Sequence, residues 1–252
     1  MRRGACFVAV ILVIANVAAA NDDAARGRAP VNATAVGEKA FTTTGVARVV
    51  ETRTSPVARP AGLGWDGSSF WVVSNDVAAI YKIDPATMGI LSSMSTPEAD
   101  WGFGLDHDGT SLWGDVNFPP RIYQLNDTTG AVLNSFVSPY TSPNGVVFDG
   151  VNVWHSAFVE DLALMDPTTG DLIRTIPAPG NSAPRGLELY DGSLWVVDAN
   201  AYVEDAIYRL NPADGTVQAS YQPVGADFGL IYGIVHDGSD FWLTDLLDSV
   251  FY

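Results

Sequence analysis

Ala61, Phe103, Asn144, Arg185 and Tyr232 each stand immediately before a glycine that is followed, nine residues later, by a tryptophan. The pairs are Gly62/Trp71, Gly104/Trp113, Gly145/Trp154, Gly186/Trp195 and Gly233/Trp242. Repetition puts the five preceding residues at equivalent points, where they should line one channel mouth. Arg185 is the only base among them, in a chain with 13 Lys and Arg against 29 Asp and Glu. Its guanidinium offers a planar fork of donors for a carboxylate or another anion. The competing role is a bridge to a rim carboxylate such as Asp198. Asn144, Phe103 and Tyr232 complete this candidate ligand set. Two blade connections add Asp100-Trp101-Gly102 and Asp227-Phe228-Gly229, each after an alanine. An aromatic beside an acid suits a sugar or peptide ligand; the alternative is an apolar plug over the channel.

A second chemistry would use oxygen ligands. Asp115, Asp198 and Asp245 end the second strands of three repeats, near Asn75, Asn117 and Asn200. Carboxylates converging from several blades suit Ca²⁺ or another hard divalent cation, whereas a repeated Asp at a strand end also serves as a turn cap. Signs of catalysis are sparse. His107 and His236 precede Asp-Gly turns where other repeats carry aromatics, so both are expected to be packing groups, and His155 should face the opposite side of its strand from Trp154. Glu204, in an expanded segment, is the one glutamate that fits a base. There is no nucleophile elbow, zinc motif or phosphate loop.

These residues need a scaffold, and the repeat supplies it. A period of about 40–45 residues without helical segments predicts a β-propeller of four-stranded antiparallel blades, one per repeat. An Asp-Gly step lies inside every glycine–tryptophan pair, at Asp66, Asp108, Asp149, Asp191 and Asp237. A second turn recurs as Asp84-Pro85, Asn126-Asp127-Thr128-Thr129-Gly130, Asp166-Pro167-Thr168-Thr169-Gly170 and Asn211-Pro212. Asp and Asn initiate such turns and Gly takes positive φ. Each repeated Trp is expected to fill the space between blades.

The last repeat stops at a third strand, Asp248–Tyr252. Thr43-Thr44-Gly45-Val46 through Val49-Val50, ending at Ser55-Pro56, copies the outer-strand pattern of Thr128 to Pro139. The N-terminal segment is therefore expected to complete the last blade, giving five blades, hidden edges and a complete chain. Glycine-to-tryptophan spacing never varies, but Trp to the matched third-strand residue (Tyr81, Tyr123, Ala163, Tyr208, Tyr252) runs 10, 10, 9, 13 and 10. The connection from Gly215 to Gly233 is also long. Both expansions flank the junction of blades four and five, which makes that rim the expected binding region.

Pro143-Asn144-Gly145, Asp149-Gly150, Val153-Trp154 and Asp166-Pro167-Thr168-Thr169-Gly170, with their counterparts, resemble exported propellers with NHL-like or YVTN-like repeats, a group that includes streptogramin-lyase-like proteins. The resemblance covers roughly residues 45–252. It implies a propeller and leaves binding, lyase and lactonase activities open. The gluconolactonase-like members hold a metal in the channel, but the acids here do not match that motif residue by residue.

Arg2 and Arg3 precede an apolar run from Ala5 to Ala19, and Ala18-Ala19-Ala20 offers a cleavage site. Residues 1–20 read as a secretory signal peptide, 21–40 as a flexible leader and 41–252 as one propeller domain. The expected location is secreted or periplasmic. The formal charge of −16 becomes −18 when Arg2 and Arg3 leave with the signal. Such a surface disfavours nucleic acid and anionic lipid. The expectation is a monomer without a membrane span that binds a small molecule, glycan or protein and leans away from catalysis. The rival is a metal-dependent hydrolase or lyase.

Overall fold

The computed structural model describes residues 12–15, 45–99, 101–158, 161–180, 183–200, 203–226 and 228–251. Three short strands come first: β1 (Leu12–Ala15), β2 (Gly45–Val49) and β3 (Arg53–Thr54). Blade one is β4 (Pro60–Trp65), β5 (Phe70–Ser74), β6 (Ala79–Ile83) and β7 (Ile90–Ser95). Blade two is β8 (Trp101–His107), β9 (Ser111–Val116), β10 (Arg121–Asn126) and β11 (Val132–Val137). Blade three is β12 (Pro143–Phe148), β13 (Val153–Ala157), β14 (Asp161–Met165) and β15 (Leu172–Pro177). Blade four is β16 (Pro184–Tyr190), β17 (Ser193–Asn200), β18 (Val203–Leu210) and β19 (Val217–Val224). Blade five is β20 (Ile231–His236), β21 (Phe241–Asp245), β22 (Val250–Phe251) and, from the N-terminal side, β3. The fold is a five-bladed antiparallel propeller. Among the described residues no helix is long and apolar enough to cross a membrane.

The repeat has a direct physical cause. In three blades the Asp of the Asp-Gly turn accepts two backbone N–H groups on one oxygen and the framework indole on the other. Trp71, Trp113 and Trp242 donate Nε1–H to Asp66, Asp108 and Asp237 at 2.9, 2.8 and 2.8 Å. One carboxylate thus closes the turn and orients the large filler five residues on. Burial pushes the Asp108 carboxyl up, but the Ser111 hydroxyl, the Trp113 indole and two backbone donors outweigh it and hold it at about 2. Blade four departs from this. Asp191 sits one residue later relative to its glycine, at φ 49°, and Trp195 Nε1 donates instead to the Tyr190 carbonyl at 3.3 Å. Each buried Trp removes about 150–250 Å² from water, worth roughly 4–6 kcal/mol before entropy.

The glycine of each pair marks closest approach between blades. A Cβ on Gly62 would strike the Phe103 carbonyl, on Gly145 that of Arg185, on Gly186 that of Tyr232 and on Gly233 that of Ala61. On Gly104 it would strike Gly145 Cα and an Asp115 oxygen. Every blade therefore leans its innermost strand on the next, around a channel too narrow between the five glycines to admit a water-sized molecule.

The N-terminal segment completes blade five, but with a shorter stretch than the sequence pattern suggested. β3 pairs antiparallel with β22, Phe251 opposite Arg53. Arg53 Nη1 donates to the Pro85 carbonyl of blade one. The same clasp joins Asn134 to Pro167 and Arg174 to Pro212, at 2.8 and 2.6 Å. β2, expected in that outer strand, lies instead parallel to β19 of blade four, Gln222 opposite Val46. The reason is reach: the clasp needs the residues just before β4, and β2 lies too far upstream. β1, inside the run read as a signal peptide, is antiparallel to β2. The two sequence expansions become longer strands. The additional residues of blade four extend the β17–β18 hairpin to an Asn200–Val203 pair, and the free end of β19 accepts β2.

Candidate functional site

All five innermost strands carry a register irregularity at the same place. The breaks fall between Pro60/Leu63, Trp101/Leu105, Pro143/Gly145, Pro184/Leu187 and Ile231/Ile234. Each break contains the residue before the repeat glycine. A bulge removes a residue from strict alternation and re-aims its side chain. Ala61, Phe103, Asn144, Arg185 and Tyr232 are thus set apart in all five blades by one recurring device.

Three of them form a stack. The Phe103 and Tyr232 rings lie 4.5 Å apart at 29°, and Arg185 Cζ lies 4.0 Å from the Tyr232 centroid on a cation–π contact. Phe158, from the β13–β14 loop, meets the guanidinium at 4.9 Å. Arg185 Nε donates to the Ala199 carbonyl at 2.6 Å. Among the described residues it is the only buried Arg or Lys, and its Nη1 has no hydrogen-bond partner. Burial lowers its pKa, opposed by Tyr232, Asp205 and Asp198, and an arginine so placed stays cationic. Burial also raises the Tyr232 phenol, which stays neutral. Asn144 is fully buried, and neither its Nδ2 nor its Oδ1 has a partner.

Most other cations are already engaged. Lys82, Arg174, Arg209 and Arg53 lie over Trp71, Trp154, Trp195 and Trp242 at 5.0 to 5.8 Å. Arg59 faces Asp76 at 3.7 Å. Arg185 differs from them in presenting a desolvated donor at the axis.

The three aspartates do not assemble. Asp115 lies two residues after its tryptophan and Asp198 and Asp245 three, so strand alternation sends them to different faces. Each lies against backbone. Asp115 Oδ1 accepts the Gly104 N–H at 3.1 Å, and Asp198 lies against Gly180. Asp245 accepts N–H groups from Gly229, Leu230, Leu247 and Asp248 at 2.7 to 3.2 Å. Among the described residues no three His, Cys, Asp or Glu gather as a metal site. Turn capping, the competing reading, describes Asp245 directly.

Burial drives the Asp115 carboxyl up to about 7, against backbone donors at Gly104 and Phe103. Its counterparts explain why a neutral acid fits there. Ser156 Oγ donates to the Arg185 carbonyl at 2.6 Å, and Thr244 Oγ1 donates to the Ala61 carbonyl. A protonated Asp carries an O–H as they do, although Asp115 Oδ2 itself has no hydrogen-bond partner.

The remaining candidates take varied places in the fold. Trp101 opens β8, with its side chain outside the described residues, as are Asp100 and Asp227. Phe228 packs, partly buried, against the core between blades four and five. His107 stacks on Trp71 and His236 on Tyr190, matching the packing role expected of them. His155 is sealed between the Gly145 carbonyl and the Ser138 hydroxyl at 2.9 Å each, and burial drops it to about 4. Two further groups bear on the ring. Asp106 Oδ2 accepts the Phe148 N–H of the next blade at 2.8 Å, and burial raises it to about 6. Phe158 closes the Arg185 stack, although nothing in its local sequence marks it.

No protein-family model matches the chain, and no curated protein is similar to it in sequence. Solved structures are similar in fold. Glutaminyl cyclase from Myxococcus xanthus superposes with TM-score 0.67 at 14% identity, over 82% of this chain and 96% of that one. A Bacteroides caccae protein of unknown function gives 0.53 at 13%, over 79% and 75%. Hydrazine synthase from Kuenenia stuttgartiensis gives 0.51 at 14%, over 76% of this chain and 57% of that one. Identities this low establish a distant relation of fold and nothing about chemistry.

Proposed function

We propose that the chain is an exported binding propeller that captures a ligand at the axial mouth beside blades four and five, without catalysing a reaction. It works in the secreted or periplasmic space after loss of residues 1–20. The observation that carries the reading is the pairing of Asn144 with Arg185. Three polar atoms, Asn144 Nδ2 and Oδ1 and Arg185 Nη1, are buried without partners at equivalent bulged positions. Leaving a buried donor or acceptor unpaired costs about 1–3 kcal/mol per group, a cost that a ligand would relieve. Stacking on Tyr232 is not available to that ligand, because its ring is already engaged by Phe103 and Arg185. Hydrogen bonding therefore dominates, which favours an amide or carboxylate over a glycan. The channel between the five repeat glycines has no room for even a water-sized molecule, so the ligand sits over the mouth.

Asn144→Leu tests this directly. It replaces the amide with an apolar group of similar size. A binding role predicts that the empty protein gains about 1–3 kcal/mol in urea denaturation, because the unpaired atoms are gone. A loss of stability instead would show that Asn144 is a structural hydrogen-bonding residue and would remove the basis for the site.

A further inference from the structure

The loops joining second to third strands surround the same mouth. Among the described residues, four of them each present one exposed apolar side chain at the tip. Val77 on blade one is 51% exposed, Phe118 on blade two 77%, Phe158 on blade three 46% and Leu247 on blade five 59%. One apolar tip on each of four blades places exposed apolar surface around a buried cation, an arrangement that suits an interaction site. Phe158 belongs to both ring and socket, since it also touches the Arg185 guanidinium.

We propose, resting on the mouth-binding reading above, that the partner is the C-terminal end of an extended apolar peptide. Its carboxylate meets Arg185 Nη1, its last peptide group meets Asn144, and its side chains rest on Val77, Phe118, Phe158 and Leu247. The pieces match one ligand class in charge and in hydrogen bonding. A pinned, desolvated guanidinium is the natural partner of a terminal carboxylate. A primary amide with both donor and acceptor free matches a peptide group, which offers one of each. A fatty acid would satisfy the arginine and the ring but would leave the asparagine unpaired. An internal peptide segment would satisfy the asparagine but not the charge.

The test uses the mature protein immobilised and an N-acetyl tetrapeptide library built from Val, Leu, Ile, Phe and Ala, with free C-terminal carboxylates. The same library with C-terminal carboxamides serves as the reference. Mass spectrometry reads what is retained. Wild type should retain acids at least tenfold over amides, and Arg185→Gln should bring that ratio to about one. Phe118→Ser combined with Leu247→Ser should lower retention of both libraries, and these surface changes leave the core untouched should Arg185→Gln fail to fold. Equal retention of acids and amides overturns the proposal. So does retention indifferent to the loop substitutions, or full competition by decanoate. If neither library is retained while Asn144→Leu is stabilised as above, the mouth remains a site but its ligand is not a peptide C-terminus.

Discussion

Asp115 is a carboxyl group held neutral by its place in the fold, and replacing it with Asn should expose that as a pH dependence. Asn has the same shape, keeps an oxygen for the Gly104 N–H, and cannot ionise. In the folded protein burial moves the Asp115 pKa from 3.8 to about 7. The sign follows from linkage. Below about pH 4 both folded and unfolded carboxyls are protonated, and the full contribution of the neutral group is present. As pH rises the unfolded chain ionises first, so the folded state loses about 1.4 kcal/mol per pH unit until about pH 7. Above that the loss levels off at about 4 kcal/mol. Asp106 and Glu188, whose carboxyls burial raises, and His155, whose imidazole burial lowers, titrate in wild type and variant alike, so the difference between the two proteins isolates Asp115. Urea denaturation at several pH values should show the stability advantage of Asp115→Asn growing by about 3 kcal/mol between pH 4.5 and 7.5. A gap that changes by less than about 1 kcal/mol over that range would refute the neutral-acid assignment.

Two further perturbations test the framework. Asp108→Ala removes the acceptor of the Trp113 indole and two turn N–H groups, and should cost about 2–3 kcal/mol. Asp191→Asn, which tolerates the positive φ there, should cost well under 1 kcal/mol, because Trp195 bonds the Tyr190 carbonyl instead; a loss equal to that of Asp108→Ala in urea melts would contradict the indole-cap account. Arg53→Ala removes the clasp to Pro85 and the contact over Trp242, and should cost about 1–2 kcal/mol. Hydrogen exchange should quicken first in β22 and β4; uniform quickening across all blades would mean that Arg53 does not close the ring.

Much of the scaffold was legible in the chain because its causes are local. The glycine and tryptophan of each repeat answer to one backbone contact and one filled space, and the Asp five residues before Trp71, Trp113 and Trp242 answers to an indole donor. Those constraints recur with the blade, so they recur in the sequence. The last blade was legible only in part. Gly45–Val49 copies an outer-strand pattern, yet pattern alone cannot say which edge a strand will join. The spacing before β4 selected Arg53–Thr54 for blade five, and the long β19 took Gly45–Val49.

The sequence by itself determined five blades, their order and the set of residues nearest the axis, because a repeat period and a turn chemistry are properties of consecutive residues. Only the tertiary structure decided what those axial residues could do. Asp115, Asp198 and Asp245 looked equivalent until strand alternation separated them by one step. Arg185 and Asn144 became a built site only when bulges re-aimed them, neighbouring blades buried them, and no protein group arrived to satisfy Arg185 Nη1 or the Asn144 amide. Burial and the absence of a partner are relations among distant segments, and they exist only once the ring has closed.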